Sequence, residues 1–214
     1  MLADEPIVKN ECSFYDARMP RVSEAHRERR RQQILDAARR CFIRKGFHQS
    51  TMADVFAESG LSAGAVYRYF RGKDEIIAAI AATVVDNVTE LLRPLVDQDP
   101  PPPLDAVLRH GLASVDDLAF GEDGFAQLAP QVWAEALRDP VLLEVVRSRY
   151  AVVRGMLSDL VRAEQKVGRV AADADPDDVA AVLFGSIIGY LLQRLLFGEL
   201  RPGPYAAGLA ALTR

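Results

Sequence analysis

The stretch that most narrows the fold runs from residue 34 to residue 80, where apolar residues recur at helical spacing and glycine interrupts them twice. Ile34, Leu35, Ala38 and Phe42 share one face at three- and four-residue steps, the signature of an amphipathic helix. That helix starts near Ser23 and stops near Lys45, because Arg44 and Lys45 followed by Gly46 suit both the helix dipole and a left-handed cap. Thr51, with Asp54 three residues on, resembles a capping box and opens a helix of two turns that Gly60 ends. Ser62 caps the next short helix, which reaches Tyr69. Its first turn, Ala63, Gly64 and Ala65, is almost bare of side chain. Gly64 costs about 1 kcal/mol of helix propensity relative to alanine, so something other than local stability selects it. Contact between backbone and a groove wall is one candidate. A helix-turn-helix flanked by arginines is a device for reading duplex DNA.

The charge distribution points the same way. Residues 18–75 hold 13 Lys plus Arg against 7 Asp plus Glu, a net of +6, whereas residues 76–214 hold 12 against 19, a net of −7. The whole-chain charge of −4 hides that polarity. A basic module is the electrostatic footprint of a phosphate-binding surface, and an acidic remainder limits indiscriminate adhesion to nucleic acid. Arg27, Arg29, Arg30 and Arg31 lie in the first two turns of their helix, where cations oppose the dipole at a cost of a few tenths of a kcal/mol each, on the order of ~0.3. Glu24 and Glu28 offset part of it. Phosphate binding and a plain solvated face are both consistent with that placement.

Thr51, Val55, Gly60, Leu61, Ser62, Gly64, Tyr67, Phe70, Lys73 and Ile76 stand at the spacing of a known DNA-binding domain, and over residues 30–80 the chain resembles the tetracycline-repressor (TetR) family. The resemblance implies a three-helix domain at residues 23–70, a linking helix from Lys73, then an all-helical ligand-binding and dimerisation region, and repression relieved by a small molecule. The chain departs from the family pattern at Phe56, where alanine is usual, and at Tyr69, where histidine is frequent. From the motif and from how such domains dock, Ser62, Ala63, Gly64 and Ala65 face base edges, their methyl groups able to touch thymine methyls. Thr51, Tyr67, Tyr69 and Lys73 hold phosphates, and Arg68 serves either role. Tyr67 has a second reading, as a ring packed in the core of the domain. Val66 and Phe70 belong to that core.

Alternation of strand period is rare, so the fold class is all-α. We expect a flexible arm at residues 1–18, a DNA-binding domain at 19–72 and a ligand-binding and dimerisation domain at 73–214. Within the last, a helix from 73 to about 95 ends at Pro94, ahead of four consecutive prolines at 100–103. Helices follow at 104–120, at 125–137 interrupted or kinked at Pro130, at 141–167, at 179–197 behind the acidic segment 175–178, and at 204–212. The 179–197 helix is apolar nearly all round. It is either buried within one chain or turned on one face toward a second copy. The resemblance implies the latter, a homodimer through helices near 141–166 and 176–197, whose paired recognition helices meet a palindromic double-stranded DNA operator with half-sites about 34 Å apart.

For the small-molecule effector, the ligand-binding candidates are His110, Gln131 and Trp133, with Phe120, Phe125, Gln127, Tyr150 and Met156 on the helices that the resemblance places around a pocket. Mostly apolar candidates with few polar groups fit a hydrophobic or amphipathic molecule. No uncharged run reaches the roughly 18 residues of a membrane span, and the two cysteines, Cys12 and Cys41, are far apart, so a reduced cytoplasm is expected. Three histidines and two separated cysteines supply neither metal-ligand spacing nor a nucleophile with a positioned base, so no cofactor, metal or catalysis is expected. The alternative function is an all-α small-molecule-binding or adaptor protein that has lost operator recognition.

Overall fold

The computed structural model of the chain describes residues 23–98, 102–121 and 124–212, and the arm at 1–18, Cys12 and the start near Met19 lie outside the described residues. Every regular element among the described residues is a helix. Local chemistry sets the first three. Helix α1 (Glu24–Lys45) starts where the Ser23 side chain accepts from the His26 amide, and ends at Gly46, whose φ of 82° lies in the region that glycine enters freely. Helix α2 (Met52–Ser59) opens with a reciprocal capping box between Thr51 and Asp54 and closes on Gly60 in the left-handed conformation, φ 67° and ψ 19°. Helix α3 (Ala63–Tyr67) is capped by Ser62, and its regular part stops at Tyr67, two residues earlier than expected. Turn bonds from the Tyr69 and Phe70 amides to the Val66 carbonyl carry the chain on to Phe70.

One proline expectation needs correction. Helix α4 (Lys73–Val96) runs through Pro94 instead of ending there. A proline in the last turn sacrifices one backbone bond with little helix left to disrupt, so its cost is small at that position. At Pro130 the stretch 125–137 is interrupted rather than kinked: residues 125–128 form turns, and Pro130 sits at the start of α6 (Ala129–Ala136), where its missing N–H would be unpaired anyway. The remaining helices are α5 (Leu104–Phe120), α7 (Pro140–Lys166), α8 (Pro176–Phe197) and α9 (Pro202–Leu212). Asp139 and Asp175 cap α7 and α8 ahead of their prolines.

Three apolar clusters hold these helices together. In the first, Ile34, Phe42, Val55 and Val66 are wholly buried, and the cluster continues through Ile76, Ile77 and Ile80 of α4 into Leu128, Val132, Leu142 and Val146. The packing is therefore continuous across residue 72. The second joins α4, α7 and α8 through Val85, Leu157, Val161 and Leu183. In the third, Leu112, Val115, Tyr190 and Ala206 seal α5 against α8 and α9. Polar pins fix the registers. Asp116 accepts from the Tyr190 hydroxyl at 2.6 Å and pairs with Arg194 at 2.7 Å, binding α5 to α8. Burial, with the bond to Asp116 next, pushes the Tyr190 phenol up to about 12, so it stays a neutral donor. Buried Glu164 accepts from the Leu104 amide at 3.1 Å and pairs with Arg169, which ties the start of α5 to the end of α7. By length and composition alone α8 is long and apolar enough to cross a membrane, but here it packs on α7 and is pinned to α5.

Candidate functional site

The bare turn of α3 lies on the outside of the head. Ser62, Ala63 and Gly64 are exposed, as are Tyr67 and Arg68, while Ala65 and Tyr69 are partly covered and Val66 faces the core. A Cβ added at Gly64 would meet no heavy atom within 4 Å. Packing inside the chain therefore does not demand glycine there, and the missing side chain leaves the backbone open to whatever approaches from solvent. Tyr67 is half exposed at 50%, its ring edge-on to Phe56 with centroids 5.5 Å apart. Phe56, where the chain departs from the family pattern, thus props a residue of the outward face. Tyr69 packs against the first cluster, and Thr51 is exposed at the head of α2.

Not every cation of the basic module is turned outward for a ligand. Arg40 and Arg44 both reach Glu58, at 2.8 Å each, and Lys45 reaches Asp54 at 2.5 Å, so the last turns of α1 are clamped to α2. These contacts hold both carboxyls below their ordinary range: the Lys45 ammonium is the largest influence on Asp54, and the hydrogen bonds from Arg40 and then Arg44 act on Glu58. Arg31 pairs with Glu28 and lies over the Phe70 ring, 5.7 Å from its centroid. Arg30 bonds Gln33. Among the described residues Arg27, Arg29, Arg68 and Arg71 have no ion pair. Their guanidinium groups are not spent on a partner among the described residues.

Lys73 is placed differently from a free phosphate contact. Its Nζ donates to the carbonyls of Phe47, at 2.9 Å, and His48, at 3.4 Å, and stands 4.7 Å from the centroid of the Phe47 ring. It thereby fixes the turn between α1 and α2. Gln131 grips the same turn from the other side: its Oε1 accepts from the Phe47 amide at 2.8 Å, and its Nε2 donates to the carbonyls of Phe42 and Gln127 at 3.3 Å. Glu135, one turn further along α6, lies 3.1 Å from His48.

The inner face of α6 lines an apolar cavity between α4, α5, α6, α7 and α8, about 820 Å³ when the open space at its mouth is included. Its wall is almost wholly aliphatic and aromatic. Ile80, Val84 and Val88 come from α4, Trp133 from α6, Tyr150 from α7 and Phe184 from α8. Three side chains bring polar atoms. Trp133 Nε1 donates to Tyr150 Oη at 2.7 Å, and Arg149 is paired with Asp86 at 2.6 Å. Desolvation pushes the Tyr150 phenol up. Of the three ligand-binding candidates, Trp133 is in this wall, whereas Gln131 faces α1 and His110 is exposed on α5, its Nδ1 2.8 Å from the Ala106 carbonyl. Sequence reasoning missed Arg149 and the α4 wall. The four-residue steps Ile80, Val84 and Val88 were the available signal, but such a stripe is equally the mark of ordinary core.

Comparison with known proteins bears on this head and cavity. The family model for bacterial regulatory proteins of the tetR family matches residues 34–80, and that for the carboxy-terminal part of BetI-type transcriptional repressors matches residues 120–213. Over 184 residues, 85% of this chain and 90% of its relative, the sequence is 32% identical to the HTH-type transcriptional repressor Rv1474c of Mycobacterium tuberculosis. Among solved structures, Salmonella enterica GusR superposes with a TM-score of 0.74 at 23% identity, covering 90% of this chain and 96% of the other. A SmeT–triclosan complex gives a TM-score of 0.69 at 24% identity, covering 86% and 90%. With its capped helix-turn-helix, basic head and helical body, the chain belongs to the TetR family and is a DNA-binding transcriptional regulator.

Proposed function

We propose that the protein is a repressor that binds an inverted-repeat operator as a homodimer and lets go when a small, mainly apolar effector enters the cavity beside Trp133. The observation that carries this reading is the double attachment of α6: one side lines the cavity, the other holds the turn after α1 through Gln131. A ligand that favours another position of α6 acts on the head without touching it. Allosteric coupling of this kind is worth about 1 to 3 kcal/mol. The SmeT neighbour binds triclosan, and an apolar cavity of this composition suits molecules of similar character.

In this reading Ser62, Ala63, Gly64 and Ala65 approach base edges, while Thr51, Tyr67, Arg68 and Tyr69 meet phosphates with Arg27, Arg29 and Arg71 nearby. Lys73 acts chiefly by fixing the turn that delivers α2 and α3. The second copy covers the outward faces of α7 and α8, where Val152 is 48% and Val182 is 69% exposed. Gly155 and Gly185 are open on those faces, since a Cβ at either would meet nothing within 4 Å. They allow close approach of helices from a partner. Selecting bound duplexes from random DNA tests the reading: recovered sequences with two inverted half-sites support it, and a single asymmetric site occupied by monomer contradicts it.

A further inference from the structure

Apart from the Arg149 guanidinium, the polar atoms of the cavity wall include a hydrogen-bond donor that the protein itself leaves unspent. Trp133 Nε1 can only donate, so Tyr150 Oη accepts at their 2.7 Å contact. Among the described residues the hydroxyl proton of Tyr150 has no acceptor. The ring is fixed, edge-on to Phe184 with centroids 5.0 Å apart, so the hydroxyl is held in place. A bond accepted from Trp133 polarises the hydroxyl and strengthens the one it can donate. Arg149, which brings the wall its one formal charge, is neutralised by Asp86 on the facing α4.

From this geometry we infer that the cavity takes an uncharged apolar molecule bearing one hydrogen-bond acceptor, a carbonyl or ether oxygen, which receives the Tyr150 proton beside Trp133. The inference rests on the cavity being the effector site. It narrows the ligand by chemistry: pure hydrocarbons waste the donor, and anions must share Arg149 with the Asp86 carboxylate or go unpaired in an aliphatic wall. A phenol is protonated at neutral pH, and desolvation pushes this one further from ionising, so the donor persists.

Three compounds of one shape test it on the full-length protein: 2-acetylnaphthalene, its isostere 2-isopropenylnaphthalene with CH2 in place of oxygen, and 2-naphthoate. Binding is followed by quenching of Trp133, the sole tryptophan, and by calorimetry. The ketone should bind about five- to tenfold more tightly than the alkene, and Tyr150→Phe should remove that preference while leaving alkene affinity within about twofold. Equal affinity of ketone and alkene for the unaltered protein overturns the inference but leaves the cavity as a ligand site. Tighter binding of naphthoate than of the ketone overturns it in favour of an anion at Arg149. If none of the three binds, the cavity is not the effector site and the inference falls with that reading. The comparison on the unaltered protein decides the matter even if the variant fails to fold.

Discussion

Replacing Lys73 by methionine separates two roles that this residue can have, as a phosphate contact and as a clamp on the turn before α2. The clamp consists of a charge-assisted bond to the Phe47 carbonyl at 2.9 Å, a longer one to His48 at 3.4 Å, and the ammonium 4.7 Å from the Phe47 ring centroid. A hydrogen bond made by a charged group contributes about 1.5 to 3 kcal/mol, the lower end applying to a half-buried site, and the cation–π contact adds about 0.5 to 1 kcal/mol. Removing a cation from the first turn of α4 returns roughly 0.3 to 0.5 kcal/mol, because it opposed the dipole. The net loss is about 2 kcal/mol, equivalent to a fall in Tm of about 4 to 8 °C for a chain of this length. Guanidinium unfolding at fixed protein concentration, followed at Trp133, measures the loss. Operator binding over a series of salt concentrations measures the other role, since one phosphate contact changes the slope of log K against log salt by about 0.9. We expect lower stability and an unchanged slope. Full stability with a slope shallower by about 1.8, one contact of about 0.9 lost from each protomer of the dimer, would refute the clamp and return Lys73 to the DNA backbone.

Gly64→Ala should leave the protein as stable or up to about 1 kcal/mol more stable, through helix propensity, and Gly64→Leu should abolish operator binding in a gel shift without unfolding the head. Unimpaired binding by Gly64→Leu would show that the α3 backbone does not approach DNA closely. Because Asp54 and Glu58 titrate below their ordinary values of 3.8 and 4.5, the stability they contribute is present above those values and is lost as pH falls through the lower folded-state values. Asp54→Asn with Glu58→Gln should therefore weaken the protein at pH 7 and flatten its loss of stability below about pH 4.5 in urea titrations; parallel pH curves would exclude the clamp as the cause. If the proposed dimer forms through α7 and α8, Val182→Asp should lower the mass seen in sedimentation equilibrium to that of a monomer, and an unchanged dimer mass would move the interface away from α8.

The parts legible from sequence were those in which a residue acts on its own neighbourhood. Ser23, Thr51 and Ser62 cap the helices that follow them by accepting from amides three residues on, and Gly46 and Gly60 adopt positive φ where helices end. Such effects need no knowledge of the fold. Pro94 was misplaced because its consequence depends on distance from a helix end, which periodicity fixes only loosely. Gln131 and Lys73 were read as ligand and phosphate contacts since nothing local reveals their partners: main-chain atoms of Phe42, Phe47 and His48, between 25 and 89 residues distant. A backbone carbonyl has no sequence signature. Trp133 was legible as a cavity residue through its size, whereas Arg149 was indistinguishable from any surface arginine until Asp86 of α4 was found opposite it.

The first apolar cluster has a consequence for how this protein evolves and can be engineered. Ile76, Ile77 and Ile80 bring α4 into the same packing as Phe42 and Val55, and Leu128, Val132 and Leu142 close it from beyond. A fragment cut after residue 72 would carry an uncovered aliphatic seam into water, and grafting this reading module onto a foreign body would require transplanting the seam's counterpart with it. Recombination between such regulators should therefore succeed where crossover points follow that seam rather than the visible joint at Gly72.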